Sequence, residues 1–228
     1  MHVVSLLLAD SRFPGGAHIH SGGLEEAVAR KLVTAERDLP GFLHGRLWTA
    51  GSPAACFAAA SAHAAARSVH KGYWSRLDAE LDARTPSFAQ REASRAQGRG
   101  TARAGRVAWR SPVIADLLAV TARPHHPVIT GALAGVAGGT PRDAALAVAY
   151  LAISGPASAA VRLLGFDPLT VNGMVAALGP ELEAVADAAA AVAGVDPAEL
   201  PGTGAPALDL LAEAHLRQHK EEVRLFAS

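Results

Sequence analysis

Apolar residues recur along this chain at spacings of three and four, not two. Leu39, Phe42, Leu43, Arg46 and Leu47 set a helical period over 38–50. Tyr73, Trp74, Leu77 and Leu81 set another, which ends before Pro86. No segment alternates apolar and polar positions over the length of a strand, and nothing repeats at a fixed period. The same reading predicts helices over 24–32, 53–70, 87–109, 112–120, 127–136, 168–178, 181–192 and 207–222. Thr140-Pro141-Arg142-Asp143 marks a further start, with Thr140 as cap and Pro141 in the first turn. That helix is expected to run through Leu151 and to bend or break at Pro156. Val3 to Ala9 is a short apolar segment ahead of a Pro-Gly loop. The expectation is an all-α chain, one domain over 1–228, with about ten helices and a tail at 223–228.

Composition sharpens this. Half of the 228 residues are hydrophobic, only 5% are aromatic, and alanine dominates the apolar set. Small side chains of high helix propensity favour closely packed helices. Gly131, Gly135 and Gly139 stand four apart and would form a flat strip where another backbone comes close. Gly98 inside a helix costs about 1 kcal/mol relative to alanine, so a close contact or a bend is expected there. Ala144 to Val161 is uncharged and alanine-rich, and Gly155-Pro156 interrupts it. It reads as a buried helix rather than a membrane span. No basic residue precedes Val3 to Ala9 and no cleavage-type ending follows, so no secretory signal is expected. The single cysteine, Cys56, excludes a disulfide framework and a Cys-rich zinc site. It reads as a small buried hydrophobe in a reducing cytosol.

The formal charge is zero, which argues against a generic nucleic-acid or membrane binder. The charges are nevertheless uneven. Arg91, Arg95, Arg99 and Arg103 fall in steps of four along one helical stripe, with only Glu92 offsetting them nearby. The stripe is either a solvated face or a contact surface for an acidic partner. It lacks the interleaved aromatics of a single-strand binder. Between Arg162 and Arg217 there is no Lys or Arg, while Asp167, Glu181, Glu183, Asp187, Asp196, Glu199, Asp209 and Glu213 all fall there. A basic stripe and an acidic third suit pairing between two subunits, or equally unpaired surface charge.

The search for catalytic motifs is mostly negative. There is no Gly-x-x-x-x-Gly-Lys-Ser/Thr loop, no Gly-x-Ser-x-Gly elbow and no His-Glu-x-x-His. His18 and His20 form a His-x-His beside Glu25, and His215 and His219 sit one turn apart. Either pair suits a soft divalent ion, but a closed site needs three or four ligands. Two alternative functions stay open on these residues. One is a helical metal-dependent enzyme with its site at His18, His20 and Glu25. The other is a nucleic-acid binder using the Arg91 to Arg103 stripe.

The two ends carry a resemblance. The chain opens with Asp10-Ser11-Arg12-Phe13-Pro14-Gly15 and His20-Ser21-Gly22-Gly23-Leu24-Glu25, and it closes on Arg224-Leu225-Phe226-Ala227-Ser228. Together these resemble the UreF-type urease accessory proteins. Arg91-Glu92, Ser94, Gln97-Gly98-Arg99, His125-His126-Pro127 and Val161-Arg162-Leu163 extend the likeness. His20 falls on the family's histidine, whereas His18 stands where an aromatic is usual and Ala17 where glycine is usual. His215 matches the histidine six after the Asp of the Pro-x-x-Asp segment, here Asp209, and the spacer to Arg224 is longer than usual. The resemblance implies an all-helical, non-catalytic, cytoplasmic adaptor that works as a homodimer. It implies that His215, Arg224, Leu225, Phe226 and Ser228 dock the accessory protein UreD/UreH. It further implies recruitment of the GTPase UreG for nickel delivery to apo-urease. His20, Ser21, Glu25, Arg91, Gln97 and Arg99 would then lie on a dimer or partner surface, or on the transfer route. No catalytic residue, metal ligand or resident cofactor is expected; nickel passes through the complex.

Overall fold

The computed structural model describes residues 2–10, 12–15, 20–67 and 69–225, with backbone alone from 219 onward. Twelve α-helices and no strand form among them. They are α1 (Val3–Ala9), α2 (Leu24–Ala29), α3 (Leu39–Arg46), α4 (Ser52–Ala65), α5 (Lys71–Ala83) and α6 (Phe88–Ala108). The others are α7 (Pro112–Val120), α8 (His126–Val136), α9 (Pro141–Leu164), α10 (Pro168–Ala177), α11 (Gly179–Ala191) and α12 (Pro206–Leu225). The all-α expectation holds. The apolar segment 3–9 is itself a helix, packed on α9 through Val4 and Leu8.

Alanine sets the packing. Ala55, Ala58, Ala59 and Ala62 of α4 are fully buried, and α8 crosses α4 at very short range. A Cβ on Gly131 would collide with the Ala58 carbonyl, and one on Gly135 with the Ala62 carbonyl. Gly139 does not belong to this strip. It lies past the end of α8, where its N–H bonds the Ala134 carbonyl at 2.8 Å and Gly138 takes a φ of +85°. That is a helix stop, and a Cβ on Gly139 would meet Val4 of α1 at 2.7 Å rather than the α4 backbone. Cys56 is buried in this layer, and burial pushes its thiol up to about 11.

Two proline expectations change. The chain does not turn between 50 and 53. A π-helical stretch, Leu47–Gly51, carries α3 directly into α4. It lies just before Pro53, whose missing N–H interrupts regular α bonding. The helix that begins at Thr140 does not break at Pro156 but continues to Leu164. Its start is as expected: the Thr140 hydroxyl accepts from the Asp143 N–H at 3.1 Å, and the Asp143 carboxylate accepts from the Thr140 N–H at 3.0 Å. By length and composition α9 could cross a membrane, but 56% of its apolar window is buried, against α1, α4, α8 and α11.

Much of the acidic third is engaged within the chain. Arg142 of α9 bridges Glu183 and Asp187 of α11. Arg76 reaches Asp196 at 2.6 Å. Glu213 of α12 accepts from the Ser87 hydroxyl at 2.7 Å and the Ala89 N–H at 2.9 Å, fastening α12 to the start of α6.

Two glycine substitutions should have opposite signs. Gly135→Ala drives a methyl into the α4 backbone and should destabilise the fold by about 1–3 kcal/mol. Gly173, in α10, has nothing within 4 Å of a Cβ, so Gly173→Ala should stabilise by about 0.5–1 kcal/mol. Urea unfolding of the two variants beside the parent measures both.

Candidate functional site

The opening segment is pinned at both ends. The Phe13 ring stacks on Trp109 with centroids 6.2 Å apart. Gly15 then lies against α6, where a Cβ on Gly100 would be only 3.0 Å from the Gly15 carbonyl. From His20 the chain turns into α2. Gly22 and Gly23 adopt φ values of +62° and +93°, which side chains resist. At Gly22 space is short as well: a Cβ would meet Arg46 and Pro156, each at 2.8 Å.

Arg46 explains that crowding. Pro156 has no N–H, so the Ala152 carbonyl four residues earlier loses its helical donor. The Arg46 Nε donates to that oxygen at 2.8 Å. An Nη of the same guanidinium donates to the Gly22 carbonyl at 2.7 Å. One side chain therefore supplies a donor to α9 and fixes the opening turn against it.

A cleft of about 850 Å³ lies beside this clamp. Six of the residues assigned to a docking, dimer or transfer role line it: His20, Ser21, Glu25, Gln97, Arg99 and His215. Its walls come from α2, α3, α4, α5, α6, α8, α9 and α12. Glu25 and His215, 190 positions apart, face each other with Oε2 to Nε2 at 4.0 Å. Burial, reinforced by the Arg46 charge, holds His20 below its ordinary pKa. Burial, with His20 adding to it, lowers His126 to about 4. Both imidazoles are neutral at pH 7. Burial also brings Arg46 down to about 10, which leaves it cationic.

The next turns of α6 end in a polar knot. His125 is 1% exposed; its Nε2 donates to Asp82 at 2.7 Å and its Nδ1 accepts from the Ser94 hydroxyl at 3.0 Å, the tautomer being assigned from these partners. Its backbone N–H donates to Asp78 at 2.8 Å. Arg95 pairs with Asp78 and Asp82, each at 2.9 Å, and donates to the Arg123 carbonyl. Gly98 makes this approach feasible, since a Cβ there would run into the Pro124 carbonyl. The expectation of a close contact at Gly98 is met.

The arginine stripe is therefore not one surface. Arg95 is committed to the knot. Arg91 lies outside the cleft lining and donates to the Thr85 and Pro86 carbonyls at 2.7 and 2.8 Å. Only Arg99 and Arg103 of the four are exposed. His18, the side chains of Arg224 and Leu225, and residues 226–228 lie outside the described residues. Among the described residues no three His, Cys, Asp or Glu side chains form a group that could hold a metal.

Asp78 and Asp82 escaped the sequence reading, and Arg46 and His126 were noticed there only for periodicity and resemblance. Pro156 was the available signal for Arg46: a proline inside a helix implies an orphaned carbonyl four residues back, and hence a donor to find. Nothing local marks Asp78 and Asp82, whose partners in the knot are 13 to 47 positions away.

Comparison with known proteins adds the following. The UreF family profile matches residues 33–179. The urease accessory protein UreF of Mycobacterium sp. (strain JLS) is 46% identical over 223 residues, covering 98% of this chain and 97% of that protein. Its counterpart in Mycolicibacterium vanbaalenii is 43% identical over 229 residues, at 98% and 97% coverage. That of Mycobacterium marinum is 42% identical over 225 residues, at 98% and 97% coverage.

The lowered histidines generate a pH prediction. Between pH 6.5 and about 4 the unfolded chain binds protons at His126 that the folded chain refuses. Stability is full above pH 6.5 and falls as pH drops toward 4, His126 contributing a loss of up to about 3 kcal/mol. His20 adds in the same direction. Urea unfolding at a series of pH values should show this fall, and His126→Asn should flatten it.

Proposed function

The chain belongs to the UreF family of urease accessory proteins, and from that premise we propose that it serves urease maturation as a non-catalytic adaptor. In this reading it bridges UreD/UreH and the GTPase UreG and supports nickel delivery to apo-urease. It works in the cytoplasm as a homodimer and carries no resident cofactor. Membership of the family makes it an accessory protein of urease rather than an enzyme.

The observation that carries the adaptor reading is convergence. The opening motif, the middle of α6 and His215 of α12 are far apart in sequence, yet their side chains line one cleft. A surface assembled from three family motifs suits recognition of a partner. The tail adds two large apolar side chains and a cation at the end of α12. An apolar terminus of this kind suits docking. Nickel transfer within a protein complex also has a physical motive, since affinity order alone does not select nickel over copper or zinc.

Co-purification from cells expressing a complete urease operon tests the reading. The tagged chain should retain UreD/UreH and UreG. Deleting Arg224 to Ser228 removes two side chains worth about 1.5–3 kcal/mol each when buried, and a charge-assisted hydrogen bond of similar size. UreD/UreH binding should weaken by at least about two orders of magnitude, at roughly 1.4 kcal/mol per tenfold. Helicity and melting temperature should change little. Normal UreD/UreH binding with a much lower melting temperature would place the tail in this chain's own core.

A further inference from the structure

Arg46 does more than the clamp requires. The two carbonyls it binds satisfy N–H groups but carry no charge. The other enclosed arginines have acids beside them: Arg84 sits 2.5 Å from Glu80, and Arg95 lies between Asp78 and Asp82. Among the described residues Arg46 has no such pair, and burial is the sole cause of its lowered pKa. A half-buried cation without a counter-charge is costly, and proteins normally pair it.

The cleft is where that counter-charge would go. Arg46 lines it and has a second Nη with no acceptor among the described residues. His20 and His126 line it too, and each neutral ring has one N–H to give. Gln97 brings an amide donor. Pro53, Leu81, Val148, Leu151 and Leu208 make much of the wall apolar, which strengthens attraction between charges inside. A cation would meet an unneutralised guanidinium. An anion would meet up to four donors, and the four acids of the lining have partners of their own: Glu25 faces His215, Glu26 pairs with Arg30, Glu92 with Arg123, and Asp209 accepts from Gln90.

We propose that the cleft binds a small oxyanion, the phosphate or carboxylate group of a soluble ligand, seated on Arg46 between His20 and His126. The site is independent of the adaptor reading, because it needs only this chain. A guanidinium edge matches either anion in bidentate fashion. The volume of about 850 Å³ leaves room for an organic body beyond the anionic group.

The test is direct binding to the full chain at constant ionic strength in chloride. Inorganic phosphate is followed by phosphorus NMR line broadening, and acetate by saturation transfer. The parent protein should bind at least one of the two at millimolar concentration, and the two arms separate a tetrahedral from a planar ligand. Arg46→Gln should weaken that binding by about tenfold or more. Gln97→Trp, which fills the cleft without touching the Arg46 bonds, should do the same and decides the matter if Arg46→Gln does not fold. Arg103→Gln, on an exposed residue outside the cleft lining, should leave binding within about twofold. Failure of the parent to bind either anion would overturn the proposal. So would binding that survives Gln97→Trp, or survives a folded Arg46→Gln.

Discussion

A proline in the middle of α9 leaves one backbone oxygen without its donor, and the rest of the site follows from how that oxygen is satisfied. Pro156 cannot bond back to Ala152. Buried carbonyls rarely stay unpaired. Arg46, from the end of α3, fills the place, and its other edge captures Gly22. The opening motif is thereby located by a hydrogen bond to the core rather than by its own length. Gly22 must be glycine on two grounds, its left-handed φ and the crowding of Arg46 and Pro156 around it.

The cleft is the consequence of that placement. With the opening turn fixed against α9, His20 and Glu25 face α6 and α12 across open space. The polar knot of Asp78, Asp82, Arg95 and His125 holds the opposite wall, and Gly98 lets that wall close on the start of α8. Charge is distributed unevenly over this frame. Two of the four arginines in the basic stripe, and much of the acidic third, are consumed within the chain. Arg46 keeps its charge without an acid.

The helices were legible because a period of three to four, alanine content and caps such as Thr140 are local signals. Their joins were less so. The π turn at Leu47–Gly51 and the unbroken path through Pro156 depend on what packs alongside, which no short window of sequence contains. Six residues singled out from the sequence share the cleft, but they were chosen by resemblance, not by physics. Their meeting needed the fold: Glu25 and His215 come together only because α12 packs on α2. Arg91 and Arg95 show the reverse. Their spacing was read correctly, and their roles turned out to be internal because the acceptors come from other segments.

The central claim is that Arg46 completes the bonding of α9 that Pro156 interrupts. A double-mutant cycle between Arg46→Met and Pro156→Ala, measured by urea unfolding, tests it most directly. With Pro156 present, losing Arg46 strands a part-buried carbonyl and should cost about 1–3 kcal/mol. In the Pro156→Ala background the helix supplies its own N–H to Ala152, and the same loss should cost less, with a coupling of about 1 kcal/mol. Equal costs in the two backgrounds would contradict the account.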